Sequence, residues 1–115
     1  MPVTIYHNPR CGKSRAALEL IRGRKIEPTI VEYLKSPPNS AELAAILKKL
    51  GIGARDLMRT KEAEYKARKL DNPKLTEKQL IDAMVGNPIL IERPIVLSGG
   101  KAALGRPPEN VLKIL

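Results

Sequence analysis

Cys11 is the only cysteine in the chain, and it stands in His7-Asn8-Pro9-Arg10-Cys11-Gly12-Lys13-Ser14-Arg15, a polar, glycine-containing stretch with no acidic side chain before Glu19. One cysteine can neither close an internal disulfide nor build a cysteine zinc site by itself, so any chemistry here is that of a lone thiol. An ordinary thiol near pKa 8.5 is mostly protonated at neutral pH, and a nucleophile therefore needs surroundings that favour the thiolate. Three are legible. A helix opening straight after Cys11 offers N-terminal amides worth about 0.3 to 1 kcal/mol to a negative charge, with ~1.4 kcal/mol equivalent to one pKa unit. Arg10, Lys13 and Arg15 add positive charge, and His7, the sole histidine, closes the first strand where the turn can aim it at Cys11. An inert, packed cysteine beside a loop histidine is the competing reading, and the polar context argues against it.

Ser14 occupies the second-cysteine position of a C-x-x-C motif. Its hydroxyl can donate a hydrogen bond to a thiolate but cannot resolve a disulfide, so a redox cycle at Cys11 needs an outside thiol. Two phosphate motifs fail on spacing. Gly12-Lys13-Ser14 copies the end of a P-loop, but the leading glycine would fall at His7. A phosphatase-like C-x5-R loop would need arginine where Ala17 stands.

The elements that must position Cys11 alternate in type. Thr4-Ile5-Tyr6 reads as a short strand, and Ser14 to Ile21 as a helix with Ala17, Leu18 and Ile21 on one face. Thr29 to Leu34 reads as a second strand, parallel to the first and fenced by Pro28 and Pro37-Pro38. Leu43, Ile46, Leu47 and Leu50 mark a helix capped by Asn39 or Ser40 and ended by Gly51. Short helices are expected around Arg55 to Met58 and from Glu62 to Leu70, and Thr76 with Gln79 forms a capping box for a helix to Val85. Ile95-Val96-Leu97, Ser98-Gly99-Gly100 and Lys101 to Leu104 make a hairpin, and Pro107-Pro108 opens a last helix through Leu115. The order βαβ, helical insertion at about 39–87, then ββα predicts a mixed sheet of the thioredoxin/glutaredoxin-like α/β class, with Cys11 at its first strand-to-helix turn.

Size and composition agree. A chain of 115 residues and 12.7 kDa makes one domain, residues 1–115, able to bury about two thirds of its unfolded surface. No apolar run approaches the ~18 to 20 residues of a membrane span, and Met1 leads directly into the first strand, so a cytoplasmic protein without membrane association is expected. The net charge of +9 favours an anionic partner. The basic residues are spread along the chain, however, and three Tyr with no Phe or Trp leave few stacking groups, which argues against nucleic acid.

The stretch His7 to Arg15 resembles the active-site segment of the glutaredoxin-coupled arsenate reductase (ArsC) family. Glu27-Pro28-Thr29, Tyr33-Leu34 to Pro37-Pro38, Leu57-Met58-Arg59, Gln79-Leu80-Ile81-Asp82, Asn87 to Ile91 and Arg93-Pro94-Ile95-Val96 look like that family too, in its order. The resemblance implies that Cys11 is the nucleophile, that His7 helps lower its pKa, and that Arg59, Arg93 and Arg106 hold the oxyanion, with Ser14 in support. Arginine suits that task, because its permanently charged fork of donors matches tetrahedral oxyanions. Resemblance to thioredoxin-like folds makes the Arg93-Pro94 peptide bond cis, with Pro94 structural beside the site.

Arsenate as substrate, glutathione as co-substrate, glutaredoxin as partner, and no bound metal or organic cofactor complete what the resemblance implies. Lys13 stands where characterised arsenate reductases of the family usually have Thr, and the chain stops at Leu115 where they continue. Both features match the ArsC-like subgroup, whose substrate is not established. Two other readings compete: a monothiol-glutaredoxin-like oxidoreductase, and a non-enzymatic regulator resembling the Spx proteins that contact RNA polymerase, against which the absence of a C-x-x-C switch counts.

Overall fold

The residues that reach Cys11 first belong to β1 (Val3–His7), whose side chains alternate between the two faces of a sheet. The computed structural model describes residues 2–115. β1 pairs in parallel with β2 (Thr29–Glu32), Thr4 facing Thr29, and a parallel neighbour demands a crossover, which α1 (Gly12–Gly23) supplies. On its other side β1 runs antiparallel to β3 (Ile95–Ser98), Ile5 facing Val96, and β3 forms the hairpin with β4 (Lys101–Leu104) around Gly99 and Gly100. The strand order is β2-β1-β3-β4. Val3, Ile5 and Val96 meet Ala17, Leu18 and Ile21 of α1 and Val111 of a C-terminal 3-10 helix (Pro108–Ile114) in one buried cluster. This burial fixes the register of β1, since a one-residue slip would turn Val3 and Ile5 outward.

These elements, residues up to Ser36 with Arg93–Leu115, form one compact unit; Pro37–Glu92 form a second. In the second unit α2 (Ser40–Leu50) begins at Asn39, whose side chain accepts from the Glu42 amide at 2.8 Å while Glu42 accepts from the Asn39 amide at 3.1 Å. It ends at Gly51, whose φ of 71° lies where a side chain would be strained. α3 (Ala54–Leu57), α4 (Ala63–Ala67) and α5 (Glu77–Gly86) follow, α5 opened by the Thr76–Gln79 capping box and packed against α2 and α3. Leu43, Ile46, Leu47, Leu80, Ile81 and Met84 are the buried face.

Three elements depart from expectation. β2 ends at Glu32 and not Leu34, because the Glu32 carbonyl accepts from the amides of both Lys35 and Ser36 at 2.9 Å and turns the chain. α4 closes at Ala67, ahead of the expected Leu70: Lys69 adopts a left-handed φ of 53°, and past the helix end the Arg55 guanidinium donates to the carbonyls of Leu70 and Asn72, long-range bonds that local periodicity does not encode. The C-terminal helix is 3-10 throughout Pro108–Ile114, a long run for that form.

The Arg93–Pro94 peptide bond is cis, and so is Arg106–Pro107, which nothing in the sequence signalled. Between them Gly105 donates its amide to the Pro94 carbonyl at 2.9 Å, and a Cβ on Gly105 would stand 2.6 Å from Pro94 Cγ and 3.3 Å from Val111 Cγ1. Neither a proline ring nor a packed valine yields easily. Gly105→Ala should therefore destabilise the protein by about 1 to 3 kcal/mol, seen as a lowered midpoint in denaturant melts, whereas alanine at open, exposed Gly100 should not.

Candidate active site

Cys11 is the N-cap residue of α1, with extended backbone angles (φ −94°, ψ 122°) and its amide donating to the Asn8 carbonyl at 3.0 Å. The turn before it is held by its own groups: the Asn8 side chain accepts from the Arg10 amide at 3.0 Å, and Arg15 donates to the Pro9 carbonyl at 2.9 Å. The thiol is thus presented at the start of the helix, half-buried. Burial alone would push it up, but hydrogen bonds from the Ser14 amide, the Arg93 guanidinium and the Lys13 amide outweigh that, and the pKa lies below the ordinary thiol value. Two of these donors are the helix-terminal amides anticipated from sequence.

His7 and Ser14 are both buried and bonded to each other, His7 Nδ1 lying 2.6 Å from Ser14 Oγ, and Ser14 Oγ also accepts from the Asn8 amide at 3.0 Å. Burial lowers the histidine pKa more than nearby Glu32 raises it, with Arg22 and Arg15 lowering it further. The neutral ring is favoured, and its partner is the serine hydroxyl. Ser14 likewise meets Cys11 through its backbone amide, while its hydroxyl is engaged by His7 and Asn8.

Arg93 lies at the start of the hairpin arm leading into β3 and reaches the Cys11 thiol. Arg106 donates from Nη1 to the Arg93 carbonyl at 3.0 Å, so two of the three arginines assigned by resemblance are joined to each other and, through Arg93, to Cys11. Arg59 belongs to the second unit. There its amide donates to the Leu90 carbonyl at 2.8 Å, and its guanidinium pairs with Glu62 at 3.0 Å through Nε and with Glu92 at 2.9 Å through Nη1. Burial pulls the guanidinium pKa down, but the two carboxylates raise it, leaving Arg59 fixed and fully charged. Glu62 and Glu92 were not singled out in the sequence; the Arg59-x-x-Glu62 spacing hints at the first, and nothing local reveals the second. Asn8, which braces both the loop and Ser14, likewise carries no sequence signal of that role.

Among the described residues no group of three or more His, Cys, Asp and Glu side chains could hold a metal ion, and no helix is long and apolar enough to cross a membrane. A mixed sheet with a thiolate-favouring cysteine at its first strand-to-helix turn defines a thioredoxin-like thiol protein. The ArsC family model matches residues 6–114, and the chain belongs to the ArsC family. It is 54% identical over 114 residues to the Escherichia coli (strain K12) protein named "Uncharacterized protein YfgD", covering 98% of this chain and 96% of that one. It is 51% identical over 114 residues to an arsenate reductase of Neisseria meningitidis serogroup A, covering 98% and 97%. The solved structure of an arsenate reductase from Vibrio cholerae superposes with a TM-score of 0.97 at 46% identity, covering 100% of this chain and 98% of that one.

Two outcomes follow from this geometry. In pH-dependent alkylation with a neutral reagent, Cys11 should titrate below an ordinary thiol, and Arg93→Ala should raise its pKa and slow the reaction severalfold near neutrality. Separately, the folded-state pKa of His7 lies below its unfolded value of 6.5, so on acidification the unfolded chain binds a proton first. Stability is then unaffected by this group above that value and falls as pH drops from it toward the folded pKa. Thermal melts should show that loss, and His7→Gln should flatten it.

Proposed function

We propose that this protein is an arsenate reductase in which Cys11 is the nucleophile, Arg93, Arg106 and Arg59 hold the oxyanion, and glutathione with glutaredoxin supplies the electrons. The observation that carries the reading is the guanidinium of Arg93 hydrogen-bonded to a thiol whose pKa is lowered, with Arg106 tied to the Arg93 carbonyl. That arrangement puts a permanently charged donor fork at the atom where an anion would be attacked, so it can bind the substrate and offset charge that builds up during attack. Full-length identities near 50% to proteins named arsenate reductase support the same substrate. The chain acts as one ArsC-family domain, residues 1–115, with a helical insertion at about 39–87.

In this reading the Cys11 thiolate attacks arsenic(V) and an oxygen leaves as water. Glutathione then adds to the adduct with loss of a second water. Glutaredoxin takes the glutathionyl sulfur as a mixed disulfide, and the electron pair of the broken arsenic–sulfur bond reduces arsenic to the trivalent state. Hydrolysis releases arsenite and frees Cys11. Two thiol electrons balance the change at arsenic, and one oxygen is lost as water overall. With no second cysteine in the chain, the outside thiols are required and not optional. The supply of such thiols makes the cytoplasm the site of action. His7 and Ser14 act as positioning residues that hold the α1 terminus against Cys11.

Arsenate-dependent NADPH oxidation, with glutathione, glutaredoxin and glutathione reductase supplied, tests the proposal. Cys11→Ser should abolish turnover with the fold intact, because a hydroxyl cannot replace the thiolate at neutral pH. Arg→Lys at Arg93, Arg106 or Arg59 keeps the charge and loses the fork. A lost charged hydrogen bond of about 1.5 to 3 kcal/mol lowers kcat/KM for arsenate roughly 10- to 150-fold. Three lysine variants as active as the parent would sink the oxyanion pocket and favour a glutathionyl-disulfide substrate instead.

A further inference from the structure

We propose, resting on the arsenate reductase reading, that a cleft on the β2 side of the Cys11 turn is the subsite where glutathione docks before it attacks the Cys11 adduct. The cleft holds about 360 Å³ and is lined by His7, Asn8, Pro9, Arg10, Glu32, Leu34 and Lys35. That volume lies within the range of about 300 to 1,000 Å³ typical of small-molecule sites. Asn8, Pro9 and Arg10 lead directly into Cys11, and the Cys11 amide is bonded back to the Asn8 carbonyl, so the cleft and the thiol share one turn. Arg93 and Arg106 are not among its walls. Arg93, which reaches the thiol, leads into β3 on one side of β1, whereas Glu32, Leu34 and Lys35 belong to the end of β2 on the other side and the turn after it. Glutathione seated there would approach the arsenic carried by Cys11 from the β2 side of the turn.

The lining matches glutathione in charge and in shape of polarity. Glutathione carries two carboxylates and one ammonium at neutral pH; the cleft carries two cations, Arg10 and Lys35, and one carboxylate, Glu32. Glu32 and Lys35 stand 3.7 Å apart and are exposed, a loose surface pair that can re-partner with a zwitterion at little cost. Leu34, 42% exposed and one of two large exposed hydrophobic residues among the described residues, offers apolar contact for the methylenes of the γ-glutamyl arm. From this subsite the thiol sulfur forms a bond to arsenic, and its proton leaves with an arsenic-bound hydroxyl as water, with no change of oxidation state at this step.

S-methylglutathione, which cannot react, is the probe. Titrated into nitrogen-15-labelled parent protein, it should shift the amides of Asn8, Arg10, Leu34 and Lys35 and saturate. Arg10→Glu and Lys35→Glu should each weaken binding by about 2- to 5-fold, the scale of an exposed charge pair. N-acetylation of the probe should weaken its binding to the parent and make no difference to Glu32→Gln. Non-saturating shifts, shifts centred on Arg93 to Ile95, or the same shifts from acetate at equal concentration would overturn the subsite. Arsenate turnover is read in its own assay. Its absence, with S-methylglutathione still seated in the cleft, would overturn the reductase reading and leave a glutathione site.

Discussion

A lone thiol is drawn toward its charged form when N–H donors converge on its sulfur, and the rest of this fold depends on how those donors are brought there. Charge at Cys11 is met by the amides of Ser14 and Lys13 and by one guanidinium, Arg93. The amides are available because α1 starts at Gly12 and leaves its first N–H groups without intrahelical partners. They stay aimed at the sulfur because α1 is anchored along its length by Ala17, Leu18 and Ile21 against Val3, Ile5 and Val96. Core packing and thiolate chemistry are in this sense one constraint seen at two ends of a helix.

The arginines are held by different means. Arg106 reaches the Arg93 carbonyl across the 13 residues that contain the hairpin, so the β3–β4 turn and the position of Arg93 are linked. Arg59 is fixed by two carboxylates, Glu62 and Glu92, each less than 30% exposed. Partly buried pairs of this kind cost desolvation and are weak evidence for stability, but they restrict a long flexible side chain to one orientation. A guanidinium already bonded through Nε and one Nη can meet an anion with little further loss of side-chain freedom.

Much of this was legible because it is local. Cys11 at a strand-to-helix turn follows from residue type and periodicity, and Asn39, Gly51 and the Thr76–Gln79 box mark helix ends through bonds spanning only a few residues. What escaped is what joins distant positions. The chain after α4 is tied down by Arg55 reaching carbonyls 15 and 17 residues away, and the second carboxylate on Arg59 comes from 33 residues away. His7 shows the limit most clearly. Its place beside the site could be inferred from the turn, yet whether it is a cation depends on burial, which a single sequence does not report. The choice of Arg59, Arg93 and Arg106 among 21 basic residues came from family resemblance and not from spacing.

The donor that residue 13 offers to Cys11 is its peptide N–H. A main-chain amide is supplied by every residue type except proline, so the anion-holding function at this position is indifferent to the side chain attached there. Lysine where the relatives recognised from sequence usually carry threonine is therefore a replacement that leaves the thiolate's backbone support in place. The side chain at position 13 is exposed. Evolution can change the face this loop shows to solvent while the electrostatics beneath it stay the same.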